Sequence, residues 1–142
     1  MQIISIQFKN ETGIWESTDC LDVNTDIQEH PKTQDISIIP INDWKMAQNS
    51  LQKGFCHHRF KPNLILESLP ESQSLRRNDQ ELGIGNARLL VLQKKHRCHE
   101  SCPLASNEHN ECVWTKNIYY ARVIKGGRMC EKDRVILLSH SD

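Results

Sequence analysis

Short apolar segments separated by turn-forming residues constrain the fold of this chain more than any other feature. Four of them follow Gly54 and are bounded by Gly, Pro, Asn or charged residues: 63–67 (NLILE), 87–93 (ARLLVLQ), 118–125 (IYYARVIK) and 134–138 (RVILL). Each has the length and the β-branched or apolar content of a strand. Many short strands with few helices favour a mainly β fold, a closed or partly closed β-barrel. A doubly wound α/β sheet would need several crossover helices.

The first half of the chain adds two predicted strands. Residues 2–8 alternate partially between apolar and polar side chains, which places Ile4, Ile6 and Phe8 on one face. Residues 36–41 (ISIIPI) form the second strand. Both segments extend the β-rich pattern of the second half.

One helix is predicted between these two β-rich parts. Trp44, Ala47 and Leu51 recur at helical spacing, Asn42 is a favourable N-cap residue, and Gly54 can form the C-terminal cap. We therefore expect a short helix that starts at this asparagine and ends near Lys53, just before the glycine.

The segments between these elements contain turn and loop residues. Residues 10–13 are expected to form a turn, and the polar segments 24–35 and 67–81 are expected to be loops. Gly126–Gly127 lies between two strand-like segments, so we expect the turn of a hairpin there.

The chain has 142 residues and no internal repeat, so we expect a single domain over 1–142. Its 18 Lys and Arg balance 18 Asp and Glu, which argues against binding nucleic acid or anionic membranes through overall charge. The first residues lack the pattern of a secretory signal, and no apolar run reaches the ~18 residues of a membrane span. We expect a cytoplasmic protein with reduced thiols, in which Cys20 and Cys130 are unpaired.

Six Cys and seven His are the unusual part of the composition, and they concentrate after the strand predicted at 87–93. Cys98 follows His96 and Arg97, with two lysines just upstream. Positive neighbours favour the thiolate, which is both the nucleophile and a ligand for soft metals. The alternative is a cysteine that is merely packed or exposed.

The spacing in this segment also permits a zinc site. Cys98 and Cys102 could form one ligand pair, and Cys112 with His99 or His109 could complete a set of four. A non-enzymatic zinc-binding or redox-sensing domain is therefore an alternative function.

A second candidate site follows Cys56. Arg59 and Lys61 are two residues apart and could hold an anion, and Asn63 offers both a donor and an acceptor. The alternative is a solvated basic turn. Together with Lys94, Lys95 and Arg97, these basic residues could form one positive pocket for an anionic ligand.

Five segments, taken in order, resemble the MOSC domain, which is named for the C-terminal part of molybdenum cofactor sulfurases. They are 59–66 (RFKPNLIL), 82–89 (LGIGNARL), 97–98 (RC), 121–127 (ARVIKGG) and 133–135 (DRV). The resemblance covers 54–138 and is greatest to the small stand-alone bacterial members.

The resemblance implies a barrel related to the pyruvate kinase barrel domain, with a site for the molybdenum cofactor, a pterin dithiolene that ends in phosphate (molybdopterin). Cys98 matches the family's cysteine, which is implied to carry sulfur as a persulfide or to ligate molybdenum. The residues implied to contact the cofactor are Arg59, Lys61, Asn63, Arg97 and Arg122. Pyridoxal phosphate binding is a further property that the resemblance implies.

Two functions follow from the resemblance. One is a sulfur carrier or cofactor-presenting domain, whose partner is the cofactor or a sulfur donor or acceptor protein. The other is a molybdenum-dependent reductase of N-hydroxylated compounds. Residues 110–117 (NECVWTKN) lack the Pro-Arg-Glu-Gly-like turn of the bacterial members, so a protein that keeps the barrel without catalysis is a further alternative.

Overall fold

The computed structural model describes residues 1–24, 35–49, 61–68, 75, 80–93 and 117–138. Within these ranges the protein is mainly β, as predicted. The strands are β1 (Ile3–Lys9), β2 (Trp15–Thr18), β3 (Cys20–Val23), β4 (Ile36–Pro40), β5 (Leu64–Leu66), β6 (Glu81–Ile84), β7 (Ala87–Val91), β8 (Tyr119–Lys125), β9 (Gly127–Cys130) and β10 (Val135–Leu138). The helix α1 (Ile41–Gln48) follows β4 directly.

Eight of these strands form one curled sheet in the order β10-β6-β7-β8-β4-β5-β1-β2, and β3 pairs separately with β9. Only β4 and β5 run parallel among the described neighbours, and α1 lies in the crossover between them. The curl brings the start of β1 to the turn before β10. The Ile3 N–H donates to the Asp133 carbonyl oxygen at 3.0 Å, and the Lys132 N–H donates to the Ile3 carbonyl oxygen at 2.8 Å.

The two faces of the sheet pack differently. The inner face carries the larger buried cluster, which includes Ile6, Ile38, Leu64, Leu82, Leu89 and Ala121. The outer face of β4 and β5 packs against α1 through a smaller cluster of Ile39, Ala47, Ile65 and Ile118, with Trp44 at its margin. Strands β4 and β5 are therefore covered on both faces, which explains their nearly continuous apolar sequences.

The start of α1 differs from the prediction. The helix begins at Ile41, and the N-cap residue is Pro40, which makes no side-chain capping bond. The prediction that Asn42 is the cap was wrong, because the extended backbone of Pro40 ends β4 and turns straight into the helix. The predicted end near Lys53 and Gly54 lies outside the described residues.

A bulge in β1 changes which isoleucines face the core. The register with β5 shifts between Ile3 and Ser5, so Ile3 and Ile6 are both buried. Ile4 is 41% exposed. The prediction that Ile4 shares a face with Ile6 was wrong, since an extra residue in a strand reverses the alternation on one side of the bulge.

Four strands were not predicted, namely β2, β3, β6 and β9. The predicted loop at 67–81 overlaps β6, which begins at Glu81, and most of the other loop residues lie outside the described ranges. The strands β6 and β7 form a hairpin in which Ile84 pairs with Ala87 across Gly85 and Asn86. Gly85 has a φ of 57°, a left-handed conformation that glycine adopts without strain. The Gly85-Asn86 pair between two apolar segments is a sequence signal for this hairpin, so β6 could have been predicted from it.

Gly126–Gly127 is not the turn of a hairpin, so that prediction was wrong. After β8 the chain leaves the large sheet, and β9 pairs with β3. A Cβ atom at Gly127 would lie 2.6 Å from the backbone nitrogen of Ala87, and one at Gly126 would lie 2.9 Å from the Val23 carbonyl oxygen. The two glycines allow the corner between β8 and β9 to touch neighbouring backbone.

A disulfide bond joins Cys20 to Cys130, which we had predicted to be unpaired thiols. The two residues stand opposite each other in the β3–β9 register, with their Cα atoms 4.0 Å apart. They are 110 residues apart in the chain. The prediction failed because only the pairing of β3 with β9 brings the cysteines together.

Candidate functional site

The described ranges contain three of the predicted site residues, Lys61, Asn63 and Arg122. The predicted thiolate Cys98 lies outside the described residues, and so does the cation Arg59. The same holds for the remaining candidates of the basic pocket and of the zinc alternative: Lys94, Lys95, Arg97, His99, Cys102, His109 and Cys112. The structure therefore describes the strands on each side of the cysteine-rich segment and three residues of the predicted cofactor site.

The cysteine-rich segment joins two adjacent strands. It follows Gln93, just beyond the end of β7, and precedes Asn117, just before the start of β8. The Leu92 N–H donates to the Tyr120 carbonyl oxygen at 2.7 Å, which continues the ladder between these strands to the base of the segment. The described residues on the two sides of the segment are thus joined by the sheet.

Lys61 and Arg122 lie on opposite sides of β4. Lys61 lies three residues before β5, and Arg122 lies in β8, and these two strands are the neighbours of β4 in the sheet. The paired registers begin at Ile38–Leu64 and at Ile36–Ala121, so both cations lie toward the start of β4, which Asp35 immediately precedes. Strands β5 and β8 are two strand spacings apart, which amounts to about 10 Å.

The charges near the start of β4 suit an anion, although Asp35 reduces the positive charge. Lys61 and Arg122 are both exposed. Among the described residues, neither has an ion-pair partner. Together with the carboxylate of Asp35, the two cations carry a net charge of +1. These residues fit the phosphate end of the implied cofactor as two cations, but alone they would hold it weakly.

Asn63 uses its side chain to hold three strands together. Its Oδ1 accepts hydrogen bonds from the Ser37 backbone N–H at 3.0 Å and from the Ser37 hydroxyl at 3.1 Å. Its Nδ2 donates to the Gln7 carbonyl oxygen at 3.0 Å, and its backbone N–H donates to the Ser37 Oγ at 2.9 Å. One amide hydrogen remains for a ligand. The cofactor contact of Asn63 stays a prediction beside this observed structural role.

No group of three or more His, Cys, Asp or Glu side chains that could hold a metal occurs within the described part of the chain. The two described cysteines are those in the disulfide, so the predicted zinc ligands lie elsewhere. In the same part of the chain, no helix has both the length and the apolar character needed to cross a bilayer.

A second basic pair was not predicted. Arg88 of β7 and Lys125 of β8 stand directly opposite each other on the outer face. The two residues are far apart in the sequence, so only the strand register shows that they meet.

No protein-family model matches the chain, and neither a curated protein nor a solved structure is significantly similar to it. The resemblance to the MOSC domain is therefore carried by the five sequence segments alone. The class that the structure itself defines is a mainly β protein with a curled sheet, one helix in its described part and a cross-strand disulfide.

Proposed function

We propose that this chain is a MOSC-like protein that binds the molybdenum cofactor and uses Cys98 to carry sulfur or to present the cofactor. The observation that carries the proposal is the position in the fold of three of the segments that resemble the MOSC domain. Residues 63–66 lead into and form β5, 82–89 span the β6–β7 hairpin, and 121–127 run from β8 into β9. The proposal includes a closed or partly closed barrel of the pyruvate kinase type and a cytoplasmic location.

Lys61 and Arg122 support the proposal because they lie on the two sides of β4, toward its start, without a described acidic partner in an ion pair. In the proposed site they bind the phosphate of the cofactor, and Arg59 and Arg97 add the charge that the described pair lacks. The cofactor, when bound, supplies a metal that accepts a thiolate ligand. Asn63 positions the start of β5, and thereby Lys61, through its bonds to Ser37.

The sulfur-carrier reaction requires only Cys98 and a donor protein that holds a cysteine persulfide. The Cys98 thiolate attacks the outer sulfur of the donor persulfide. The bond from that sulfur to the donor cysteine breaks, and the donor leaves as a thiolate. Cys98 becomes the persulfide, so no further oxidant or reductant is consumed. The neighbouring Arg97 favours the thiolate that starts this step.

We expect the full chain, made with sufficient molybdate, to contain molybdenum and pterin and to be labelled by persulfide reagents. Cys98→Ser should lose persulfide labelling or molybdenum, because serine provides neither a sulfur acceptor nor a thiolate ligand. Cys56→Ser is the matched control and should retain both. Elemental analysis, pterin fluorescence after oxidation and mass spectrometry of labelled peptides measure these outcomes.

Unchanged molybdenum and labelling in Cys98→Ser would contradict the proposal. About one zinc per chain without molybdenum, in protein from its own host, would favour the zinc-binding alternative. Reductant-dependent turnover of N-hydroxylated compounds by cofactor-loaded protein, absent without cofactor, would instead identify the reductase.

A further inference from the structure

A groove of about 240 Å³ lies on the outer face of the sheet, at the start of β7. Gly83, Arg88, Lys125, Ile136 and Leu138 are among the residues that line it. Water occupies roughly 30 Å³ per molecule in the liquid, so the groove has room for about eight waters or as many ligand atoms. This size suits a small molecule rather than a protein segment.

Four adjacent strands contribute one residue each to a row across the groove. In the strand registers, Ile136 of β10 pairs with Gly83 of β6, Gly83 pairs with Arg88 of β7, and Arg88 pairs with Lys125 of β8. Gly83 has no side chain, so the middle of the row is open. The groove is the space between an isoleucine on one side and two cations on the other.

The two cations form an unfavourable pair unless an anion is present. Arg88 and Lys125 are both exposed and stand directly opposite each other, and like charges in this arrangement destabilise a sheet. Within the described ranges neither forms an ion pair with an acidic side chain. The register between β7 and β8 shifts beside Arg88, and bulges of this kind often redirect a side chain at a binding site.

The other side of the groove is apolar and open to solvent. Ile136 is 52% exposed, and Leu138 is half-buried beside it. Apolar side chains that are open to solvent, next to cations without an acidic partner among the described residues, match a ligand that has both a charged and an apolar end. A ligand with only one of these properties would leave half of the groove without a complementary contact.

We propose that this groove binds a small organic anion with a short apolar chain. The guanidinium of Arg88 binds the anionic group through paired hydrogen bonds, and the Lys125 ammonium adds a second positive charge. The chain lies over Gly83 against Ile136 and Leu138. This inference is independent of the molybdenum cofactor, because the groove is at the start of β7 and Cys98 follows its end.

The test titrates the full chain with hexanoate, hexyl phosphate, hexanol and acetate, using calorimetry and amide chemical shifts. Hexanoate or hexyl phosphate should bind and shift the amides of 83–88, 125 and 136, and the tighter of the two identifies the anionic group. Hexanol and acetate should bind at least about tenfold more weakly, because each lacks one half of the interaction. Binding of hexanol or of acetate as tightly as the better of hexanoate and hexyl phosphate would overturn the proposal.

Substitutions of the two cations test the charged side of the groove. Arg88→Gln and Lys125→Gln should each weaken binding of the anion by about tenfold. Lys9→Gln, an exposed cation on β1, is the matched control and should leave binding unchanged. Full binding by Arg88→Gln would overturn the proposal whatever the other variants show.

Gly83→Val tests whether the apolar chain of the ligand lies over Gly83, and it leaves both cations in place. A Cβ atom at Gly83 would lie 3.6 Å from the Leu138 Cδ1 and 3.9 Å from the Ile136 Cβ, which are ordinary contacts. Valine also suits a strand, so we expect the fold to persist, as circular dichroism can verify. Binding of the anion should fall, and unchanged binding would contradict the proposed path of the apolar chain.

Discussion

Asn63 and Ser37 bind each other in both directions. The Ser37 hydroxyl donates to the Asn63 side chain and accepts from the Asn63 backbone, while the Ser37 backbone N–H reaches the same amide oxygen. Ser37 is only 3% exposed. Removal of either side chain would leave buried polar groups without partners, and such groups are costly.

We expect Asn63→Ala to lower the free energy of unfolding by about 2–4 kcal/mol, because it removes two side-chain hydrogen bonds to the buried Ser37 and a third to the Gln7 carbonyl oxygen. Asn42→Ala is the matched control. Asn42 is exposed and is not the cap of α1, so its loss should change stability by less than about 0.5 kcal/mol.

Urea denaturation of both variants measures the difference. Equal stabilities would contradict the structural role assigned to Asn63, and a large loss in Asn42→Ala would restore the capping role that the sequence predicted.

Asn63 also shows where reasoning from the sequence stops at this scale. Its donor and acceptor groups marked it as a site residue, and in the structure both groups make hydrogen bonds within the sheet. The groups that it bonds are 26 residues away in Ser37 and 56 residues away in Gln7. Only the adjacency of β5 with β1 and β4 brings those groups within reach, and no local pattern encodes that adjacency.

At the scale of elements, segments with continuous apolar residues were predicted well. Residues 36–41 and 63–67 became β4 and β5, which are buried on both faces. β9 (GRMC) and β2 (WEST) were missed because they are short and partly exposed and have little apolar content. Such strands are defined by their partners rather than by their own sequences.

Helix α1 contains a partly buried acidic residue. Asp43 lies in the first turn, and desolvation by burial raises the pKa of its carboxyl above the ordinary value of 3.8. A raised pKa means that the folded protein binds this proton more readily than the unfolded chain. The stabilisation from Asp43 is therefore fully present at low pH and is lost as the pH rises through the folded pKa.

We expect the stability of Asp43→Asn relative to the natural chain to be greatest near pH 7, where the natural carboxyl is ionised. The advantage should shrink as the pH falls toward about 4, because only the natural chain gains a proton on folding. Denaturation of both proteins at several pH values measures the trend. An advantage that grows on acidification would mean that folding lowers the pKa.

At the scale of the whole molecule, the disulfide joins two short strands that, among the described strands, pair only with each other, over four residues each. Arg128 and Asp22 form an ion pair at 3.0 Å on β9 and β3, but both side chains are mostly exposed, so this pair contributes little. The bond between Cys20 and Cys130 encloses a loop of 110 residues. A loop of that length restricts the unfolded chain strongly.

We expect the double variant Cys20→Ser/Cys130→Ser to lose about 3–5 kcal/mol of unfolding free energy relative to the oxidised protein. Chemical denaturation measures the loss. As a control, a dithiol reductant should destabilise the natural chain and leave the double variant unchanged. Equal stability of the two oxidised proteins would contradict a stabilising role for the bond.

The disulfide also marks the limit of prediction at this scale. The mainly β class followed from the short apolar segments, whereas the thiol state of Cys20 and Cys130 was inferred from an expected cytoplasmic location. Disulfides are rare in that compartment. The location stays a prediction, and the oxidised pair is the observation that weighs against it.

The same bond determines how the chain would respond to a pulling force. With the disulfide intact, the covalent path along the chain passes from Cys20 directly to Cys130, so pulling cannot extend the residues between them. The large sheet draws most of its strands from that interval, while β1, β2 and β10 lie outside it. Force reaches the interval through the pairing of β1 with β5 and of β10 with β6. Reduction would release about 370 Å of extensible chain. In the oxidised protein, pulling can therefore detach β1 and β10 but cannot extend the chain between the two cysteines.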